Sequence, residues 1–194
     1  LTGLPVPQWE KTASVERTGY RIDKLIIRPG ADIILPALAF VPPNPDTNAY
    51  LYVHESGKHS DAAPGGPIEE LALEGHIVLA VDLRGLGETL PSDKTAYNGH
   101  LGADWQDVYL AYVLGSSYLA MRAEDILVCA RFLQGYPGGD ASNAVHLLSV
   151  GCTGPPALHA AALEPQLFAS VHLHRSLVSW SNVVRTPRAI RQLA

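Results

Sequence analysis

The 194-residue sequence is poor in charge and has no long apolar stretch. Charged residues make up 17% of it, and acidic residues outnumber basic ones to give a formal net charge of -5. Because binding to a phosphate backbone requires a basic face, nucleic acid is not a predicted partner. No apolar run reaches the ~18 residues that are needed to cross a bilayer, so a membrane partner is not predicted either.

Cysteine, metal-ligand clusters and nucleotide motifs are also scarce. The two cysteines, Cys129 and Cys152, are too few for a disulfide framework, and Cys129 is predicted to be buried in a helix. No G-x-G-x-x-G follows a predicted strand, so dinucleotide binding has no support. His172 and His174 have a spacing that can bind a metal, but no Cys, Asp or Glu cluster supports it nearby. We therefore predict no cofactor and no metal, and we assign both histidines to packing or loop anchoring.

Length and apolar content predict one globular domain over residues 1–194, since 47% of the residues are hydrophobic. Residues 1–19 are polar and are predicted to be an irregular approach segment. The sequence begins at Leu1 without a signal-peptide pattern, so it does not indicate a compartment.

Two patterns follow one another along the chain. Residues 20–28 and 32–41 are rich in Ile, Leu and Val and flank a Pro-Gly turn, which predicts an antiparallel hairpin. Pro36 predicts that the second of these strands lies at a sheet edge, because proline cannot donate to a ladder. Strands then alternate with helices. The predicted strands are 49–54, 77–81, 145–150 and 169–173, and the predicted helices are 67–74, 103–114, 117–134, 155–163 and 176–184. This alternation predicts the α/β class, with a mostly parallel sheet and helices on both faces.

The segment Ser149-Val150-Gly151-Cys152-Thr153-Gly154-Pro155 joins a predicted buried strand directly to an alanine-rich helix. A sharp turn of this kind can present a nucleophile at the carboxyl edge of a sheet, and it requires small flanking residues. In one register Cys152 is the nucleophile, and its place at a helix N-terminus would favour the thiolate, although Val150 stands where glycine is usual. In a second register Gly151 takes the nucleophile position, which predicts an inactive elbow. A plain turn with a buried thiol is the third interpretation.

Two further segments are expected at the same edge of the sheet. The loop His54-Glu55-Ser56-Gly57 follows a predicted strand, and backbone N–H groups in such a loop can hold the oxyanion of an attacked acyl group. The candidate donors are Glu55 or Ser56, next to His54, together with Thr153 of the elbow. A polar loop with a turn glycine is the alternative.

Asp82 and Arg84 follow another predicted strand. They are expected to form an ion pair that fixes the loop near the site.

Three segments carry a resemblance to a known family. Ala80-Val81-Asp82-Leu83-Arg84-Gly85-Leu86-Gly87 resembles the D-x-R-G-x-G stretch of the acetyl xylan esterase and cephalosporin-C deacetylase group of α/β-hydrolases. Residues 122–127 resemble the helix before the nucleophile strand of that family, and residues 154–163 resemble the helix after it. The resemblance covers about residues 20–175 and implies an α/β-hydrolase-like fold. The family has serine in G-x-S-x-G at the elbow, whereas dienelactone hydrolases of the same fold use cysteine there.

The resemblance implies a carboxylic-ester hydrolase that acts on small-molecule or carbohydrate acyl esters, exported if its substrate is a polysaccharide. The catalytic acid and histidine of the family follow later strands, but this sequence has no His after His174. We therefore expect a domain truncated on its C-terminal side, in which no complete triad can be assembled in the usual order. The alternative is a catalytically impaired hydrolase-like protein that binds a ligand or partner through the same cleft. Because the last predicted strand would have a bare edge, we also expect an oligomer, or completion by another polypeptide, through residues 169–194.

Overall fold

The computed structural model of the protein describes residues 6–30, 32–92, 102–137, 143–177 and 179–186. Its centre is one sheet of seven strands in the order β1-β2-β3-β5-β4-β6-β7. The strands are β1 (Gln8–Arg17), β2 (Tyr20–Arg28), β3 (Leu35–Val41), β4 (Asn48–His54), β5 (Ile77–Val81), β6 (Ala144–Val150) and β7 (Ser170–His174). The helices are α1 (Pro67–Leu73), α2 (Trp105–Val113), α3 (Tyr118–Gly135), α4 (Gly154–Leu163) and α5 (Trp180–Arg185).

Strand β1 lies in the segment that was predicted to be irregular, and that prediction is wrong. The strand pairs antiparallel with β2 along its length, with a register shift between Lys11 and Ala13. Its residues are exposed except for Val15, so it has no apolar face that a period of two could reveal. Backbone pairing holds β1 at one edge of the sheet, helped by Trp9, whose ring meets the rings of Phe132 and Tyr136 edge-on.

The predicted antiparallel pairing of β2 with β3 is confirmed, but β3 is not an edge strand. It lies between β2 and β5 and is antiparallel to both. Pro36 is tolerated inside the sheet because the ladder between β3 and β5 begins only at Ala37. The carbonyl of Pro36 still contributes, since it accepts the N–H of Asp82 at 2.9 Å.

The predicted parallel arrangement is confirmed for β5, β4, β6 and β7. The register aligns side chains of β4, β6 and β7 in two rows near the carboxyl ends of the strands. One row is Tyr52, Leu148 and His172, and the next is His54, Val150 and His174. Residues at matching positions of adjacent strands point to the same face, so these two rows share one face of the sheet.

Helices cover both faces of the sheet, as predicted. On one face, α3 and α4 pack residues such as Ile126, Leu127 and Ala157 against Leu51 and Leu79. On the other face, α1 packs against the sheet through apolar side chains, which are Ile68 and Ala72. Cys129 of α3 is fully buried, as predicted, and this burial raises the pKa of its thiol well above the usual range.

The end of the described chain differs from prediction. Helix α5 begins only at Trp180, after Ser179 accepts the N–H of Ser181 at 3.2 Å as a helix cap, so residues 176 and 177 are not helical. Strand β7 is the second edge of the sheet. Among the described residues, no helix is both long and apolar enough to cross a membrane.

Candidate functional site

Four chain segments meet at the carboxyl edge of the parallel strands. Strand β4 ends at His54, β5 at Val81, β6 at Val150 and β7 at His174. Because these strands are parallel and adjacent, the loops that follow them lie side by side. The fold therefore brings together the 54–58 loop, the 82–88 loop and the elbow, and it adds Arg175 and Ser176, which were not singled out from the sequence.

The elbow between β6 and α4 is one tight turn. Val150 has an extended backbone, and Gly151 follows it with φ +74°, a left-handed value that favours glycine. A single 3-10 turn, Gly151–Thr153, then leads into α4, whose first residues are Gly154, Pro155 and Pro156. Proline suits a first helical turn because the N–H groups there have no partner within the helix.

The side chain of Glu55 fills the space in front of Gly151. A Cβ atom added to Gly151 would lie 2.2 Å from Cδ and 2.4 Å from Oε2 of Glu55. The same Oε2 accepts a hydrogen bond from the N–H of Cys152 at 3.2 Å. Residue 151 must therefore be glycine for two reasons, its backbone conformation and the carboxylate of Glu55.

The two residues after Gly151 have different environments. Cys152 is partly exposed and packs against the larger apolar cluster of the core. Thr153 is fully buried, and its hydroxyl lies 2.7 Å from Ser149 Oγ, 3.0 Å from Val150 O and 3.2 Å from Val53 O. The Thr153 side chain therefore ties β4 to β6 beneath the elbow.

Backbone N–H groups of the loop after β4 bond within the protein. Glu55 N–H donates to Val150 O at 3.1 Å, and Ser56 N–H donates to Nδ1 of His54 at 2.9 Å. Because Nδ1 of His54 is an acceptor, a neutral His54 carries its proton on Nε2, which lies 3.8 Å from Asp61 Oδ2. The structure thus places His54, Glu55 and Ser56 beside the elbow, with the N–H of Glu55 directed to Val150.

A buried ion pair holds this loop, and nothing in the sequence marked it. Lys58 is 4% exposed, and its Nζ lies 2.6 Å from Asp82 Oδ2 and 2.6 Å from Glu88 Oε1. The fully buried Asp82 also accepts the backbone N–H groups of Lys58 at 2.6 Å and Glu88 at 3.0 Å. The hydrogen bond from Lys58 lowers the pKa of Glu88. Two loops of the candidate site are therefore fastened to each other by charge.

The ion pair expected between Asp82 and Arg84 does not form, because Asp82 turns toward Lys58. Arg84 instead pairs with Asp125 on α3 through Nε at 2.8 Å and through Nη2, and its backbone N–H bonds to the same carboxylate at 3.1 Å. Arg122 of α3 donates to Arg84 O at 3.0 Å and to Asp104 at 2.5 Å. Asp82 and Arg84 therefore both anchor the 82–88 loop. Asp82 anchors it to Lys58 of the loop after β4, and Arg84 anchors it to Asp125 of α3.

In the described ranges, no group of three or more His, Cys, Asp or Glu residues could hold a metal ion. His172 and His174 share a face of β7, as their spacing predicts, and stand opposite Leu148 and Val150. His172 Nε2 lies 2.8 Å from Ser170 Oγ, a contact that orients its ring.

Solved structures share the fold of this chain, although no protein-family model and no curated protein matches it. Acetyl xylan esterase 1 from Thermoanaerobacterium sp. JW/SL YS485 matches 94% of this chain and 58% of its own length, with a TM-score of 0.68 and 19% identity. The acetyl xylan esterase from Paenibacillus sp. R4 matches 83% of this chain and 51% of its own, with a TM-score of 0.56 and 21% identity. A dienelactone hydrolase from Anabaena variabilis ATCC 29413 matches 87% of this chain and 63% of its own, with a TM-score of 0.51 and 19% identity. The chain has the α/β-hydrolase fold.

This α/β-hydrolase fold confirms the class that the sequence predicted and its likeness to acetyl xylan esterases. The chain spans between 51% and 63% of the length of these three structures. At identities of 19–21%, the likeness shows the fold alone. What the elbow of this chain can do follows from its own residues.

Proposed function

We propose that this chain is an esterase-like protein that binds an acyl ester beside the elbow, and that the tip of the elbow does not attack the ester. The observation that carries the proposal is the carboxylate of Glu55 in front of Gly151. In α/β-hydrolases the nucleophile stands at the strained tip, and the N–H of the next residue helps to hold the oxyanion. At the positive-φ position of this elbow stands Gly151, which has no nucleophile, and the next N–H, that of Cys152, bonds to Glu55.

The carboxylate of Glu55 also disfavours attack on an ester at the elbow. Attack on an ester carbonyl develops negative charge on its oxygen, which donors at the elbow stabilise in an esterase. A carboxylate beside that position would repel the developing charge instead. The ground-state ester is neutral and has no such conflict. An elbow of this kind therefore favours binding of an ester over its hydrolysis.

The esterase neighbours suggest acetylated carbohydrates as ligands. We would titrate the chain with acetylated xylobiose and, as the matched control, with xylobiose, and follow backbone amide signals by NMR. The proposal expects shifts at Cys152 and around Glu55 with the acetylated sugar only. It also expects no release of acetate above background, since Gly151 at the tip has no side chain that can attack the ester. If neither sugar shifts these signals, the proposed binding is wrong.

A second candidate function is an esterase in which Cys152 is the nucleophile. It is favoured by the partial exposure of Cys152 immediately after the tip, before the N-terminus of α4. Its test is hydrolysis of p-nitrophenyl acetate by the chain, by Cys152→Ala and by Cys129→Ala as the matched removal of the other thiol. Turnover that only Cys152→Ala abolishes would replace the first proposal with this one.

A further inference from the structure

A cavity of about 510 Å³ opens beside the elbow on the α1 face of the sheet. Its floor is formed by the two rows of aligned side chains on β4, β6 and β7, with Leu148 and Val150 at the centre and Pro67 of α1 at one side. A cavity of roughly 300–1,000 Å³ is the usual size for a small-molecule site. The floor is apolar, so it suits the carbon skeleton of a ligand.

The rim of this cavity carries one arginine and three histidines. Arg175, His174 and His172 line it from the end of β7, and His54 lines it from β4. One carboxylate, Asp61, also lines it, but Asp61 already accepts the hydroxyl of Tyr52 at 2.6 Å and faces Nε2 of His54. The hydrogen bond to Asp61 and, above all, burial raise the pKa of Tyr52, so the phenol remains a neutral donor to that carboxylate.

Arg175 is the unusual member of this rim. Its φ is +52°, and it is the one residue other than glycine with a positive φ in the described part of the chain. Such a conformation is uncommon for a residue with a Cβ and is found mainly where the surrounding structure imposes it, often at a binding site. Arg175 is exposed and lines the cavity, and across the described ranges its guanidinium forms no hydrogen bond and no ion pair.

We propose that this cavity binds a small molecule with a carboxylate group, which Arg175 recognises while the Leu148 and Val150 floor holds the rest of the molecule. A guanidinium donates two parallel hydrogen bonds to a carboxylate, and the ring N–H groups of His174 and His54 are further donors at the rim. The inference goes beyond the proposed function and does not rest on it, because the cavity and Arg175 carry it without any contact to the tip of the elbow. A ligand with an acidic group is distinct from the neutral acyl ester that the elbow would meet.

The test compares acids with neutral molecules of the same shape. Benzoate and benzamide form one pair, and D-glucuronate and D-glucose form the other, each titrated into the whole 194-residue chain by calorimetry or NMR. We expect at least one acid to bind about tenfold or more tightly than its neutral partner, because hydrogen bonds to a charged acceptor are stronger than those to a neutral one. Preference for glucuronate would identify an acidic sugar as the ligand, and preference for benzoate an acid with an apolar ring.

The variant is Arg175→Asn, since asparagine tolerates the left-handed backbone at this position. Arg185→Asn is the matched control, because it removes the same charge from exposed α5, outside the cavity. Arg175→Asn should abolish the preference for the acid and leave binding of the neutral partner unchanged, whereas the control should change neither. Equal binding of acid and neutral molecules, or a preference that survives Arg175→Asn, would overturn the inference. Ester turnover that depends on Cys152 would refute the proposed function but leave this result standing.

Discussion

Replacing Gly151 with alanine tests the central geometry of the elbow. The added Cβ must adopt φ +74°, which costs about 1–2 kcal/mol for a residue with a side chain. It must also displace the Glu55 carboxylate, because the new atom would lie 2.2 Å from Cδ of Glu55. Displacement breaks the hydrogen bond to the N–H of Cys152, which adds about 1.5 kcal/mol for a charged acceptor. We expect Gly151→Ala to destabilise the protein by about 3 kcal/mol.

A matched glycine separates the two contributions. Gly115 also has φ +74°, but a Cβ added there would meet nothing within 4 Å. Gly115→Ala should therefore show only the backbone cost of about 1–2 kcal/mol, together with the same change in the entropy of the unfolded chain. In a Glu55→Ala background, Gly151→Ala should fall to that smaller value, which gives a coupling free energy of about 1.5 kcal/mol between residues 55 and 151.

Urea unfolding followed by circular dichroism measures all of these variants, and an unchanged slope against urea would show that only stability differs. The reasoning would be refuted if Gly151→Ala cost no more than Gly115→Ala, or if Glu55→Ala left the cost of Gly151→Ala unchanged. Either result would mean that the carboxylate of Glu55 does not occupy the tip of the elbow.

Four other predictions concern the core, pH, the thiols and the sheet edge. Lys58→Met should destabilise the protein by about 3–5 kcal/mol in urea, because it leaves Asp82 buried without its cation, and adding Asp82→Asn should recover much of this loss. Burial acts to raise the pKa of Asp23, but its hydrogen bonds outweigh burial and hold that pKa below the usual range. The resulting stabilisation is present above the unfolded pKa of about 4 and is lost as pH falls through the native value, so Asp23→Asn should flatten stability below about pH 4. A thiol reagent should label Cys152 in the native protein and Cys129 only after unfolding, and early labelling of Cys129 would contradict its burial. Sedimentation at low micromolar concentration should show association through the edge of β7, and a clean monomer with β7 ordered would contradict this.

The sequence predicts the central strands well because they are buried on both faces. Residues 77–81 are apolar throughout and form β5 with the predicted bounds. Strand β1 was not predicted, because its exposed residues show no alternation of apolar and polar side chains. Its structure comes from backbone pairing with β2. Pro36 led to the wrong prediction that β3 lies at a sheet edge. A missing N–H costs a hydrogen bond only where the ladder with the neighbouring strand has begun, and the sequence does not specify that the ladder with β5 begins at Ala37.

The sequence predicts where the candidate site lies, but not which side chains contact each other there. Small residues around Gly151 mark the turn, and the second register identifies Gly151 as a candidate for the tip. The side chain that fills the turn comes from Glu55, 96 positions earlier in the chain, so no local spacing could associate the two. Lys58 is missed for the opposite reason, since an isolated lysine in a loop is usually solvated and only the partners Asp82 and Glu88 make its burial tolerable.

The two edges of the sheet have unequal consequences for self-assembly. Along β1, the charged side chains Glu10, Lys11, Glu16 and Arg17 and the register shift after Lys11 disfavour the docking of another strand. At the opposite edge, β7 is five residues long and its outer hydrogen-bonding groups face no other strand in the described part of the chain. The β1 edge is therefore protected against strand-to-strand association by its own charged side chains, whereas the five residues of β7 include no lysine, arginine or glutamate that would protect that edge in the same way.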